Sequence, residues 1–162
     1  MQISKLDQMF DVLATRPKKR MIAAWGVDSH TILAAYMAVE KELIEATLVG
    51  DEKMILSVCK EHNLDCSKFN IVHCPVDIKS ASLAVEMINK GKGDFLMKGL
   101  ISTDRYMKAI LNKECGLMDP GAILSHVTVT ESKHYHKLLI VGDVAIIPLP
   151  DLNLKIAITN YL

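Results

Sequence analysis

Apolar residues in this chain form short runs that alternate with helical stripes, and that alternation predicts an α/β architecture. Ile3, Leu6, Met9, Phe10 and Leu13 recur at helical spacing, giving a first helix that Pro17 helps to end. Residues 21–25 are a short apolar strand closed by Gly26. Asp28 or Ser29 then caps a helix whose inward stripe is Ile32, Leu33, Tyr36, Met37 and Leu43. Residues 46–49 make a second strand, with Gly50 and Asp51 as its turn and the next cap. Met54, Ile55, Val58 and Cys59 mark the inner face of the helix that follows. Residues 70–73 are a third strand, which Pro75 stops. Asp77 is expected to cap a helix reaching about Asn89, with Ala81, Ala84, Val85 and Ile88 inward and Gly91 as its stop. Residues 95–97 form the fourth strand, and Ser102 opens a helix over 104–111. Four strands alternating with helices imply a mostly parallel sheet covered by helices on both faces.

The rhythm then changes. Residues 123–130 and 138–141 are extended runs joined by polar residues, which reads as an antiparallel β-hairpin. Pro148 and Pro150 form a break, and residues 152–162 read as a helix. The expected division is an α/β domain over residues 1–150 and a terminal helix over 151–162 that begins a second half.

Composition narrows the function classes. Half of the 162 residues are hydrophobic and only 5% are aromatic, so the core is aliphatic. Nineteen basic residues balance nineteen acidic ones, which gives no overall attraction for nucleic acid or a membrane surface. The basic run from Arg16 to Arg20 reads as a solvated loop in preference to a polyanion site. No stretch approaches the roughly 20 apolar residues of a membrane span, and the N-terminus lacks the shape of a signal peptide. Cys59, Cys66, Cys74 and Cys115 follow no disulfide or C-x-x-C pattern, which favours a reducing, cytoplasmic setting. Neither His134-x-His136 nor His73-Cys74 supplies enough ligands for a metal. The first strand–helix turn has one glycine, not the G-x-G-x-x-G of a dinucleotide site, and no P-loop is present.

The chemistry concentrates in Lys98-Gly99-Leu100-Ile101-Ser102-Thr103. A lysine, a glycine and a Ser-Thr pair join an apolar strand to a helix, at the sheet edge where open α/β proteins bind ligands. Free amides at the helix start and the lysine ammonium would favour a phosphate-like anion. An ordinary turn glycine and an ordinary Ser102 cap explain the same residues without a ligand. Asp104 counts against an anion, and Arg105 partly offsets it. Asp28 and Ser29 lie at the same edge, as caps or as a polar wall. Ser125 and His126, read as strand neighbours, would point to opposite faces and could not work as a nucleophile–base pair. Asp143 follows the last strand, as a turn residue or a cleft residue.

Four segments occur in a telling order: Leu48-Val49-Gly50-Asp51, then Leu96-Met97-Lys98-Gly99-Leu100-Ile101-Ser102-Thr103, then Leu124-Ser125-His126-Val127, then Pro150-Asp151-Leu152. With Asn112-Lys113-Glu114 between the second and third, the chain resembles the phosphate acetyl/butyryltransferase family, the butyryl branch more than the acetyl branch. The likeness spans nearly all of this chain but only the first half of a family member. It implies an isocitrate/isopropylmalate dehydrogenase-like fold of two α/β domains around a cleft. It also implies transfer of a short or branched acyl group from acyl-CoA to inorganic phosphate, yielding acyl phosphate and CoA with no further cofactor. Carried over, Lys98, Gly99, Ser102 and Thr103 line the phosphate and acyl-CoA region, with Ser125, His126 and Asp143 matching further family segments.

Two departures bear on activity. The family's basic residue after Gly-Leu is replaced here by Met118-Asp119-Pro120 following Gly116-Leu117. Its later Ser-Arg-containing strand and Asp-Gly-Pro motif have no counterpart. The isolated chain is therefore expected to be inactive unless a second chain completes the cleft, and its uncovered apolar faces are expected to drive homo-oligomerisation. A truncated homologue that binds acyl-CoA, phosphate or a partner without turnover is the alternative. An unrelated flavodoxin-like or Rossmann-like binding domain is a third reading.

Overall fold

The computed structural model describes residues 3–162, which pack as two units. One is Arg16–Met118; the other joins the N-terminal residues up to Thr15 to Asp119–Leu162.

The first unit contains β1 (Lys19–Ala24), α1 (Ser29–Glu40), β2 (Ile44–Gly50), α2 (Glu52–Glu61), β3 (Phe69–His73), α3 (Asp77–Asn89), β4 (Phe95–Lys98) and α4 (Thr103–Ile110). All four strands are parallel, in the order β3-β2-β1-β4. The chain thus winds outward from β1 to β3 and returns to the other side of β1, making β1/β4 a topological switch point. Alternate β1 residues feed opposite faces, as strand geometry requires. Met21 and Ala23 join Ile32, Ala35, Leu48, Ile55 and Cys59 beneath α1 and α2. Ile22 and Ala24 join Val49, Ala81, Ala84, Met87 and Ile101 beneath α3 and α4. Helices therefore cover both faces, as the alternation predicts.

The caps follow the side-chain chemistry at most helix starts. Asp28 accepts from the Thr31 amide at 3.0 Å and Asp51 from the Met54 amide at 3.2 Å. Asp77 is an exception. Val76 is the residue before α3, while Asp77 lies in its first turn and pairs with Arg105. Met37 and Met54 also leave their expected inward stripes and are exposed, because Ile32, Ala35, Ile55 and Cys59 already fill the sheet side of those helices. Leu43 lies beyond α1, which stops at Glu40. At the amino edge of the sheet, the Arg20 side chain donates twice to Asp94, at 3.1 and 2.8 Å, and its amide once at 2.8 Å, fastening β1 to the start of β4.

The second unit is thinner. It opens with an N-terminal helix, Gln8–Ala14. The hairpin pairs β5 (Val127–Thr130) with β6 (Leu139–Gly142), and α5 (Leu152–Thr159) follows a loop. The Glu131 carboxylate accepts from Lys5 Nζ and the Leu6 amide, both at 2.9 Å, tying the N-terminal segment to the hairpin. Ile158 is its one buried large hydrophobic residue among those described. The terminal helix ends at Thr159, short of the expected 162.

Candidate functional site

The carboxyl edge of the parallel sheet is built around Trp25. This residue follows β1 with φ +56°, a left-handed conformation that is rare for a bulky side chain. Its amide donates to the Ser80 hydroxyl at 2.8 Å, and that fully buried hydroxyl donates to the Val49 carbonyl at 2.9 Å. Its carbonyl accepts from the Leu100 amide at 3.0 Å. Backbone strain of this kind persists only where neighbours over-determine it, and it gathers at functional edges.

Gly99 is explained by the same turn. A Cβ at Gly99 would lie 2.2 Å from the Trp25 carbonyl oxygen, and its amide donates to Ala24 at 3.0 Å. The close approach that demands a glycine is therefore the crossing of the chain's own backbone at the switch point. Lys98 beside it is exposed; the only hydrogen bond of its side chain among the described residues is a 3.5 Å contact from Nζ to the Gly99 carbonyl. The Ser102 hydroxyl accepts from the Arg105 amide at 3.4 Å and so caps α4. The amides of Thr103 and Asp104 have no acceptor among the described residues, which follows from their place in the first turn. Arg105 is paired with Asp77, so its charge is not available to offset Asp104. The edge thus offers an exposed ammonium and two free amides at a helix start.

In the second unit, Ser125 and His126 lie ahead of β5, not within it. Pairing begins at Val127 opposite Gly142, and Asp143 then turns the partner strand away with φ +33°. The strand-alternation argument for Ser125 and His126 accordingly fails. Ser125 Oγ instead donates to Asp143 Oδ2 at 3.1 Å, and His126 Nδ1 lies 3.2 Å from Thr128 Oγ1. Asp143 Oδ1 accepts the amides of Ala145, Ile146 and Ile147 at 3.2, 2.8 and 3.2 Å. Desolvation opposes ionisation of Asp143, but those amides and the Ser125 hydroxyl outweigh it and hold the carboxyl below its usual range. Asp143 therefore organises its own loop and fixes the Ser125 side chain.

Sequence reasoning passed over Trp25 and Ser80. Ser80 stands next to the inward Ala81 and Ala84, and a serine so close to an apolar helix stripe was the available signal. Nothing local marks Trp25, whose conformation is set by residues 55 and 75 positions away. Among the described residues no group of three His, Cys, Asp or Glu side chains could hold a metal, and no helix is long and apolar enough to cross a membrane.

No family model matches the chain. It is 34% identical over 158 residues to the phosphate butyryltransferase of Clostridium acetobutylicum, covering 98% of this chain and 52% of that protein. It is 32% identical over 156 residues to the phosphate acetyltransferase of Thermotoga maritima, covering 96% and 52% respectively. Among solved structures, a branched-chain phosphotransacylase from Enterococcus faecalis V583 superposes with a TM-score of 0.65 at 24% identity, over 88% of this chain and 48% of that one. The EutD phosphotransacetylase from Staphylococcus aureus gives 0.71 at 16% identity, over 94% and 55%. These structures share the fold. The chain spans about half the length of the curated relatives it matches. The resemblance seen in its motifs thus extends along nearly the whole sequence: this chain is similar to half of a phosphate acetyl/butyryltransferase-family protein.

Proposed function

We propose that this chain supplies one half of a phosphate acyltransferase that converts acyl-CoA and inorganic phosphate to acyl phosphate and free CoA. The observation that carries the reading is the 34% identity to a phosphate butyryltransferase across almost the entire chain. A phosphate oxygen would attack the thioester carbonyl carbon, and the resulting tetrahedral intermediate would collapse by breaking the C–S bond. The departing thiolate takes a proton to become CoA. Because phosphate is itself the nucleophile, no covalent enzyme intermediate is needed, and the protein contributes positioning and charge stabilisation.

The exposed Lys98 ammonium and the free amides of Thr103 and Asp104 support a phosphate-binding role for this segment, with Ser102 fixing the helix start and Gly99 permitting the backbone crossing. Ser125, His126 and Asp143 are proposed for acyl-CoA, with Asp143 acting through the Ser125 hydroxyl. A short or branched acyl group is the proposed substrate class, with no cofactor beyond the CoA thioester. The domain reading is likewise a proposal: residues 1–150 as the first lobe and 151–162 as the start of the next. Four free cysteines, among them buried Cys59 and Cys74, support a cytoplasmic setting. The protein is proposed to act as a homo-oligomer.

The test is thiol release from butyryl-CoA in the presence of phosphate, at high protein concentration. Phosphate-dependent release that falls at least about tenfold in Lys98→Ala would support the reading. Saturable CoA or phosphate binding without release would favour the inactive, binding homologue. Absence of both would contradict each.

A further inference from the structure

We propose that Cys59 and Cys66 form a reversible thiol–disulfide pair, closed by a peroxide, at the amino edge of the parallel sheet. Neither cysteine belongs to the segments proposed for acyl transfer, so the pair acts whether or not that reading holds.

Spacing along the chain does not single out this pair. Cys66 stands seven positions after Cys59 and eight before Cys74, so an unfolded chain would bring it to either partner about equally often. The fold removes the tie. Cys59 is the last buried residue of α2, in the cluster of Met21, Leu48 and Ile55, and Cys66 packs against that same cluster. Cys74 lies beyond the other end of β3, in the cluster on the opposite face of the sheet. The five residues of β3 alone rise roughly 16 Å, far more than a disulfide spans. Cys115 is exposed, and its carbonyl accepts from the Asn89 side chain at the end of α3, again on the opposite face.

The turn between the two cysteines is fixed by the backbone. Helix α2 ends at Glu61, Asn63 is left-handed with φ +54°, and the Leu64 amide donates back to the Cys59 carbonyl at 2.8 Å. This is the six-to-one bond of a Schellman stop, which folds the next residues over the last turn of the helix. Asp65 then accepts from the Ser67 amide at 3.0 Å and the Ser67 hydroxyl at 2.6 Å, setting the single 3-10 turn Cys66–Lys68. Cys66 thereby returns to Cys59, and the two thiols lie within hydrogen-bonding reach.

Access divides the chemistry between them. Cys66 is half-buried and meets solvent, whereas Cys59 is sealed. Burial, and then the neighbouring Cys66 thiol, push the Cys59 thiol above its ordinary range, which makes it a poor first target. The Cys66 thiolate attacks one oxygen of hydrogen peroxide, the O–O bond breaks, and the departing oxygen takes a proton to leave as water. Cys66 is then a sulfenic acid. The Cys59 sulfur attacks the Cys66 sulfur, gives up its proton and displaces the sulfenic oxygen as a second water. Two electrons pass from the thiols to the peroxide, and two hydrogens leave the protein. A dithiol reverses the change by exchange.

The test is to treat the folded full chain with hydrogen peroxide, alkylate the remaining thiols, digest without reduction and map the links by mass spectrometry. Trypsin cuts at Lys60, between the two cysteines, so their link appears as two joined peptides. The expected product has lost about 2 Da, joins Cys59 to Cys66, and regains both thiols in dithiothreitol. Cys59–Cys66 links should exceed Cys66–Cys74 links at least about tenfold in the folded chain, and by no more than about twofold in urea. Cys66→Ser should remove the link, while Cys115→Ser should keep it. The proposal is overturned by a folded chain that gives the same mixture as the urea control, that carries Cys66 as sulfinic acid beside a free Cys59, or that does not react.

Discussion

Within Arg16–Met118, Ile22, Leu48, Val49 and Ile55 are completely excluded from solvent, whereas the hairpin unit leaves Ile140 52% and Leu152 72% exposed. Both units have aliphatic strands, so hydrophobicity alone does not separate them. Layering does: β1 has a parallel neighbour on each side and helices on both faces, while among the described residues β5 and β6 pair with no third strand. A two-stranded ribbon is marginal in water, and three strands or packing against a helix are the minimum for independent stability. The contrast teaches that the segment proposed to bind phosphate sits on the better-supported scaffold, while Ser125, His126 and Asp143 sit on the weaker one.

The comparison can be broken most severely at Gly99. Gly99→Ala drives a Cβ into the Trp25 carbonyl and is expected to cost more than about 4 kcal/mol, observed by urea denaturation as loss of most of the native state. Ile22→Ala should cost about 3 kcal/mol in the same measurement, while Ile140→Ala should stay within about 0.5 kcal/mol for the isolated monomer. Equal costs would remove the distinction between the units. Ser80→Ala leaves the Trp25 amide without its acceptor, and about 2 kcal/mol should be lost.

The smallest effect concerns pH. Hydrogen bonds from the Arg20 side chain and amide, with the guanidinium charge, hold the Asp94 carboxyl well below the ordinary range. A depressed folded-state pKa contributes stability that is fully present above the unfolded value of about 3.9 and is lost as pH falls through the folded value. The thermal midpoint should therefore fall on acidification below about pH 4, and Asp94→Asn should flatten that limb. The pair is partly exposed, so the change should be modest.

Most of the parallel sheet was legible in the sequence because its signals are local. Asp28, Asp51 and Ser102 cap where their side-chain chemistry says they should, and the four apolar runs supply the four strands, with Trp25 left just beyond β1. Asp77 was misread because its partner, Arg105, lies 28 residues away. The hairpin was recognised, but apolar periodicity continues through Ile123 to His126 even though the pairing partner stops at Gly142. Strand length there is set by the partner and by the turn at Asp143, which no single-strand pattern records. At the candidate site, Lys98 and Ser102 were readable from residue type. The reason for Gly99 was not, because it depends on the path of Trp25.

Titration of inorganic phosphate into the isotope-labelled chain, followed by amide NMR, tests the phosphate-binding claim most directly. The account predicts saturable shifts of Thr103 and Asp104 that disappear in Lys98→Ala. Shifts confined to the basic run from Arg16 to Arg20, or no saturable shift at all, would contradict it.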